Sequence, residues 1–81
     1  MMITKIIKID TIREVNDFVR ICTANPEGLE FYASRGKTNV PCTSLMGVFA
    51  LDPSLPFVVT YPDTPKTESF TAYISQFEVD E

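Results

Sequence analysis

The spacing of apolar and polar positions changes along the chain, and each change marks an element. Residues 3–9 alternate, with Ile3, Lys5, Ile7 and Ile9 on one side and Thr4, Ile6 and Lys8 on the other. Such a repeat predicts a strand. From Thr11 the repeat lengthens: Ile12, Val15, Phe18, Val19 and Cys22 fall at helical spacing, opposite Arg13, Glu14, Asn16, Asp17 and Arg20. An amphipathic helix over this stretch would bury the first set. Thr11 and Glu14 form a capping-box pair at its start, and Asn25-Pro26-Glu27-Gly28 stops it. From Leu29 to Ser34 the alternation returns, with Leu29, Phe31 and Ala33 against Glu30, Tyr32 and Ser34, and predicts a second strand.

Arg35-Gly36 then separates two β-prone runs. Glycine supplies the positive φ of a tight hairpin, so the second and third strands are expected to be antiparallel neighbours. Beyond the third strand Thr43 and Ser44 offer hydroxyls to the free N–H groups of a short helix over residues 45–51, with Ser44 as the N-cap. Asp52-Pro53-Ser54-Leu55-Pro56 reads as a connector. Phe57-Val58-Val59-Thr60-Tyr61 is β-branched and aromatic enough for a fourth strand. Pro65 suits the first position of a last helix, on which Phe70, Tyr73, Ile74 and Phe77 recur. The acidic end, residues 78–81, is expected to fray.

The order strand, helix, strand, strand, helix, strand, helix predicts an α+β fold, a four-stranded antiparallel sheet covered on one face by three helices. Its 81 residues make one domain, residues 1–81, with a single modest core.

Composition removes several function classes. The net charge is −4 and the seven basic residues are dispersed, whereas phosphate-backbone binding needs them clustered, so nucleic acid is not an expected partner. No apolar run approaches the roughly 20 residues that span a bilayer, and nothing resembles an export signal; the expected location is the cytoplasm. Cys22 and Cys42 are too few for a disulfide framework and read as reduced thiols, Cys22 inert on an apolar helix face. Cys42, near a helix start, is the one thiol whose pKa that position could lower. There is no histidine, which removes the commonest general base and metal ligand. No cofactor, metal or enzymatic activity is expected. Asp10, Glu14 and Asp17 fit the helix dipole and solvent better than a catalytic cluster.

Gly36-Lys37-Thr38, followed by Ser44-Leu45-Met46-Gly47-Val48 and ending at Leu51, resembles the central segment of HPr phosphocarrier proteins of the sugar phosphotransferase system. The resemblance in element order, βαββαβα, extends over essentially the whole chain. It implies an HPr-like open-faced sandwich. It also implies that Ser44 matches a regulatory phosphoserine, that Leu45, Met46 and Phe49 match an exposed partner-docking patch, and that Arg13 matches a phosphate-stabilising arginine. Thr11 stands where the family's phosphoacceptor histidine would be, and a phosphothreonine ester is too stable to pass phosphate on. This chain further departs from the family in a shorter loop before the first helix, in Glu14 where the family has proline, and in one extra residue around Pro41-Cys42.

The resemblance therefore implies a non-catalytic regulatory or protein-binding module, unable to act as a phosphocarrier. Its partners would be proteins, a serine kinase or a transcriptional regulator of sugar use among them. Each residue also has a plainer reading: Ser44 as a cap alone, Arg13 as a solvated side chain, and Leu45, Met46 and Phe49 as core. The alternative for the whole chain is an unrelated small α+β domain for ligand sensing or dimerisation, whose second helix would be long and begin elsewhere.

Overall fold

The computed structural model describes residues 1–24 and 29–79; the helix stop read at residues 25–28 and the last two residues of the acidic end lie outside these. The elements follow in the order β1 (Met2–Ile7), α1 (Ile12–Thr23), β2 (Tyr32–Arg35), β3 (Thr38–Pro41), α2 (Leu45–Ala50), β4 (Phe57–Pro62) and α3 (Glu68–Ile74), with 3₁₀ turns at Pro65–Thr67 and Ser75–Phe77.

The four strands form one sheet in the order β1-β4-β2-β3, antiparallel throughout. Cross-strand partners share a face. Lys5, Val59, Ala33 and Val40 make one inner row, with Ile3 and Tyr61, and Ile7 and Phe57, beside it. Ile7, Ala33, Phe57, Val59 and Tyr61 are buried in one cluster with Val15, Phe18, Val19 and Cys22 of α1, Val48 of α2, and Phe70 and Ile74 of α3. The outer rows, Thr4-Thr60-Tyr32-Pro41 and Ile6-Val58-Ser34-Asn39, are exposed or half-buried. The helices therefore cover one face and leave the other open.

Two strands are shorter than their apolar alternation. β1 ends at Ile7 because β4 begins only at Phe57, its partner. Beyond it Lys8 N donates to Phe77 O (3.1 Å) and Ile9 N to Pro53 O (2.7 Å). β2 starts at Tyr32 rather than Leu29. Its partner Pro41 ends β3, and the pairing closes with Cys42 N donating to Phe31 O at 2.8 Å.

Lys5 shares the inner face with Ile3 and Ile7, yet its amine emerges at the rim, 3.8 Å from Glu78, as long basic side chains do. Glu78 and Val79 do not fray. Ile7 pairs with Glu78 and Val79 N donates to Ile6 O at 3.0 Å, so the chain end covers part of the β1 edge.

Arg35 pairs with Thr38, leaving Gly36-Lys37 as a two-residue hairpin turn. Gly36 has φ +59°, the first-position glycine of a mirror-image turn whose twist matches the strands. A Cβ here would meet no atom within 4 Å, so the constraint is backbone conformation alone. Gly36→Ala is expected to cost about 1–2 kcal/mol, the left-handed penalty of an L-residue, read as a lower urea midpoint with an unchanged slope. Gly47 is needed for the opposite reason. A Cβ there would sit 3.1 Å from Val40 Cβ and 3.0 Å from Ser44 Oγ, so the missing side chain lets α2 lie close against β3.

The helix starts are local. Thr11 Oγ1 accepts from Glu14 N (3.1 Å). The return half of the expected capping box is different: the Thr11 hydroxyl donates to Glu14 Oε1 (3.0 Å) instead of its backbone N–H doing so. Ser44 Oγ accepts from Gly47 N at 3.1 Å and caps α2. A box the sequence reading did not identify opens the last helical region. Lys66 N donates to Thr64 Oγ1 (3.1 Å) and Thr64 N to Thr67 Oγ1 (3.2 Å). The buried Thr67 hydroxyl reaches the carbonyls of Pro62 and Thr64 as well.

Candidate functional site

The first turn of α1 and the chain from Phe49 to Ser54 enclose a groove of about 220 Å³, lined chiefly by Thr11, Ile12, Val15, Phe49, Asp52 and Pro53. Its far wall is shaped by backbone geometry. Asp52 follows the α2 C-cap with φ +57°, the left-handed residue that commonly ends a helix and that aspartate tolerates better than most. Its carboxylate accepts from Ser54 Oγ at 2.6 Å, and Leu55 N donates to its carbonyl at 3.0 Å.

Arg35 anchors this wall from across the sheet. Its Nη2 donates to Asp52 O (2.6 Å) and Leu55 O (3.1 Å), and its Nε to Pro56 O (3.3 Å). With Ile9 N bonded to Pro53 O, the loop is tied both to the start of α1 and to the hairpin. The sequence around Arg35 marks only a turn, because nothing in its neighbourhood announces acceptors about 20 residues away.

Ile12, expected in the core, is 70% exposed. As the first residue of α1 it overhangs the groove, and Val15, one turn further on, takes the buried position. On α2 the division between inside and outside is sharp. Val48 and Leu51 are buried, whereas Met46 is 84%, Phe49 38% and Leu45 37% exposed. Ile12 and Phe49 line the same groove, so apolar surface continues from the first turn of α1 onto α2.

Thr11 lies in the groove as the α1 cap. Arg13, next along α1, is exposed, and among the described residues its guanidinium makes no hydrogen bond or ion pair. Ser44 is half-buried at the opposite end of α2 from the groove-lining residues. The structure thus groups Thr11, Ile12 and Phe49 at the groove, with Leu45, Met46 and Ser44 further along α2.

Several groups are electrostatically perturbed. Contact with the Cys42 thiol, and then burial, pushes the Cys22 thiol well above the usual range. Both cysteines are free and buried. Burial, with Asp17 next, pushes Tyr73 up to about 12. Burial also raises Tyr61, against the opposing hydrogen bond with Thr71. Tyr32 is raised by its hydrogen bond to Glu30.

These shifts fix the alkaline behaviour. In the unfolded chain Tyr73 ionises near 10; in the folded one it keeps its proton to about 12. Its contribution to stability is therefore intact below pH 10 and lost as the pH climbs through 10 towards 12, because the unfolded state releases the proton first. Urea midpoints measured from pH 8 to 12 should begin to fall near pH 9, where Cys22 ionises in the unfolded chain only, and fall more steeply above 10; Tyr73→Phe should flatten the steeper part.

Among the described residues no group of three His, Cys, Asp or Glu could hold a metal ion, and no helix is long and apolar enough to cross a membrane. A scan against protein-family models and searches of curated proteins and of solved structures return no match.

Proposed function

We propose that the chain is an HPr-like protein-binding module without carrier chemistry. It docks partner proteins through Leu45, Met46 and Phe49, with Ser44 as a regulatory phosphosite and Arg13 as a phosphate-stabilising group. The observation that carries this reading is the apolar exposure of α2. Large apolar side chains normally go to the core of a chain this size, and a contiguous exposed group of methionine, leucine and phenylalanine suits an adaptable contact surface.

Three further features support it. The helical and strand elements follow the order βαββαβα. The second helix is short and begins directly after Ser44, unlike the long helix of the unrelated-domain alternative. Thr11, at the place of the family's histidine, is occupied in capping α1. Phosphorylation of Ser44 would add a charge near −2 to a helix whose first turn holds no acidic residue, so the modification meets no local repulsion. The change would be felt by whatever docks on Met46, two residues along in the same turn.

The test is a photo-crosslinking amino acid placed at Met46, compared with the same group at Thr4 on the open sheet face, in extract from cells growing on a rapidly used sugar. A discrete adduct at Met46, absent at Thr4 and lost on Phe49→Glu, is the expected result. Equal adducts at both positions, or none at Met46, would sink the reading. Met46→Glu should leave stability within about 0.5 kcal/mol of the parent, as surface substitutions do; a large loss would make Met46 core. Phosphoenolpyruvate with the general phosphotransfer enzymes should leave the chain unlabelled.

A further inference from the structure

We propose that the chain forms a weak two-fold dimer through the open face of its sheet, with the strands of one copy stacked antiparallel on those of the other. The solvated face of an antiparallel sheet ordinarily carries charged side chains. Here it carries none. The four strands contain two charged residues, Lys5 and Arg35, and both belong to the helix side, where Lys5 meets Glu78 and Arg35 holds the connector after α2. The outer rows hold no Asp, Glu, Lys or Arg, in a chain with seven basic and eleven acidic residues. Met2 is 54% and Tyr32 37% exposed on that side, with Ile6 and Val58 half-buried beside them.

A second copy is the occupant that this pattern fits. Two chains of net charge −4 repel wherever their acidic surfaces approach, and the uncharged face is where they can meet without that repulsion. The hydroxyls of Thr4, Thr60 and Ser34 and the Asn39 amide each donate and accept, so a surface made of them can pair with its own copy, as a two-fold contact requires. The register also sets the direction. Ile7 pairs with Phe57 and Ser34 with Val58, so Lys8, after β1, and Lys37, in the β2–β3 turn, stand at one end of the strands. Glu30, before β2, and Asp63, after β4, stand at the other. Glu30 and Lys37 are exposed and equally far in sequence from the middle of β2. A two-fold axis across the strands therefore sets Lys37 of each copy over Glu30 of the other copy, whereas parallel stacking would set like charges together.

Four strands about 4.8 Å apart, at most six residues long and rising about 3.4 Å per residue, give a face of roughly 19 by 20 Å, about half of one side of a molecule 29 × 25 × 24 Å across. A footprint of that size belongs with small, transient interfaces, so the dimer assembles at high micromolar concentration and is absent from dilute extract. It leaves α2 and the groove free.

Sedimentation equilibrium on the full chain, from about 5 µM to about 1 mM, tests this. The expected mass rises from 9.1 kDa towards twice that value. Thr60→Lys, which puts a charge near the middle of the face, should stay monomeric with a native circular dichroism spectrum; if it does not fold, Thr4→Lys at the exposed neighbouring position serves instead. Lys37→Glu and Glu30→Lys should each weaken association several-fold, and the double variant should associate like the parent. Met46→Glu should also associate like the parent. A monomer at every concentration, a folded Thr60→Lys or Thr4→Lys that still dimerises, loss of the dimer in Met46→Glu, single charge reversals without effect, or a double variant no better than either single one would each overturn the proposal.

Discussion

Phe70→Ala is expected to lower the unfolding free energy by about 3–5 kcal/mol, the range for emptying a buried aromatic site. Phe70 is buried on α3 and is the hub of the aromatic core. Its ring lies edge-on to Phe31 and Tyr61 at 4.7 and 4.9 Å between centroids, and tilted against Phe18 and Tyr73 at 6.1 and 6.4 Å. These neighbours belong to α1, β4, α3 itself and the residue just before β2, so the cavity left by alanine would loosen contacts among several elements at once. Phe31 and Tyr61 stack on each other at 5.4 Å across the inner face, and the sheet beneath them resists collapse into the space.

A small domain has only about 5–15 kcal/mol in all, so the variant should be near the edge of folding at 37 °C. Phe70→Leu, which keeps most of the volume, should cost much less. Urea unfolding followed by tyrosine fluorescence measures both. A loss under about 1 kcal/mol for the alanine variant would mean that α3 packs on the sheet by other contacts.

Arg35→Ala comes second, at about 1.5–3 kcal/mol, the scale of hydrogen bonds from a charged donor. Its fork satisfies three carbonyls of one connector, those of Asp52, Leu55 and Pro56. Among the described residues Arg35 is the one cation hydrogen-bonded to these carbonyls. Water can reach part of this region, which keeps the cost below that of a buried ion pair.

The distinctive consequence is local. With the fork gone, the loop from Asp52 to Pro56 is held mainly by the bond from Ile9 N to Pro53 O, so amide exchange at Ile9 and Leu55 should accelerate more than exchange in β4. Arg35→Lys should recover only part of the loss, since a single ammonium cannot span three acceptors in fixed geometry. Equal acceleration everywhere would indicate global destabilisation and would contradict the anchoring role.

Neither effect is visible in the order of the residues, and the contrast with what is visible has a physical basis. Thr11 as the cap of α1, Ser44 as the cap of α2 and Gly36 as the turn residue each depend on atoms two to four positions away, so side-chain chemistry in a short window determines them. The strands were equally legible where one face is buried and the other open, because alternation then records the sheet's two sides. Phe57 to Tyr61 is the clear case, with Phe57, Val59 and Tyr61 buried and Val58 and Thr60 between them half-buried.

Strand ends were less legible, since β1 stops where its antiparallel partner β4 begins and β2 starts where β3 ends. The tertiary structure alone decided the sheet order, the reach of Arg35, and the return of Glu78 and Val79 to β1. All of these join residues far apart in the chain. The sequence by itself determined the elements and their starts through local hydrogen bonds and periodicity. Which surfaces meet was settled only by closing the sheet under the helices, where partners are chosen by packing.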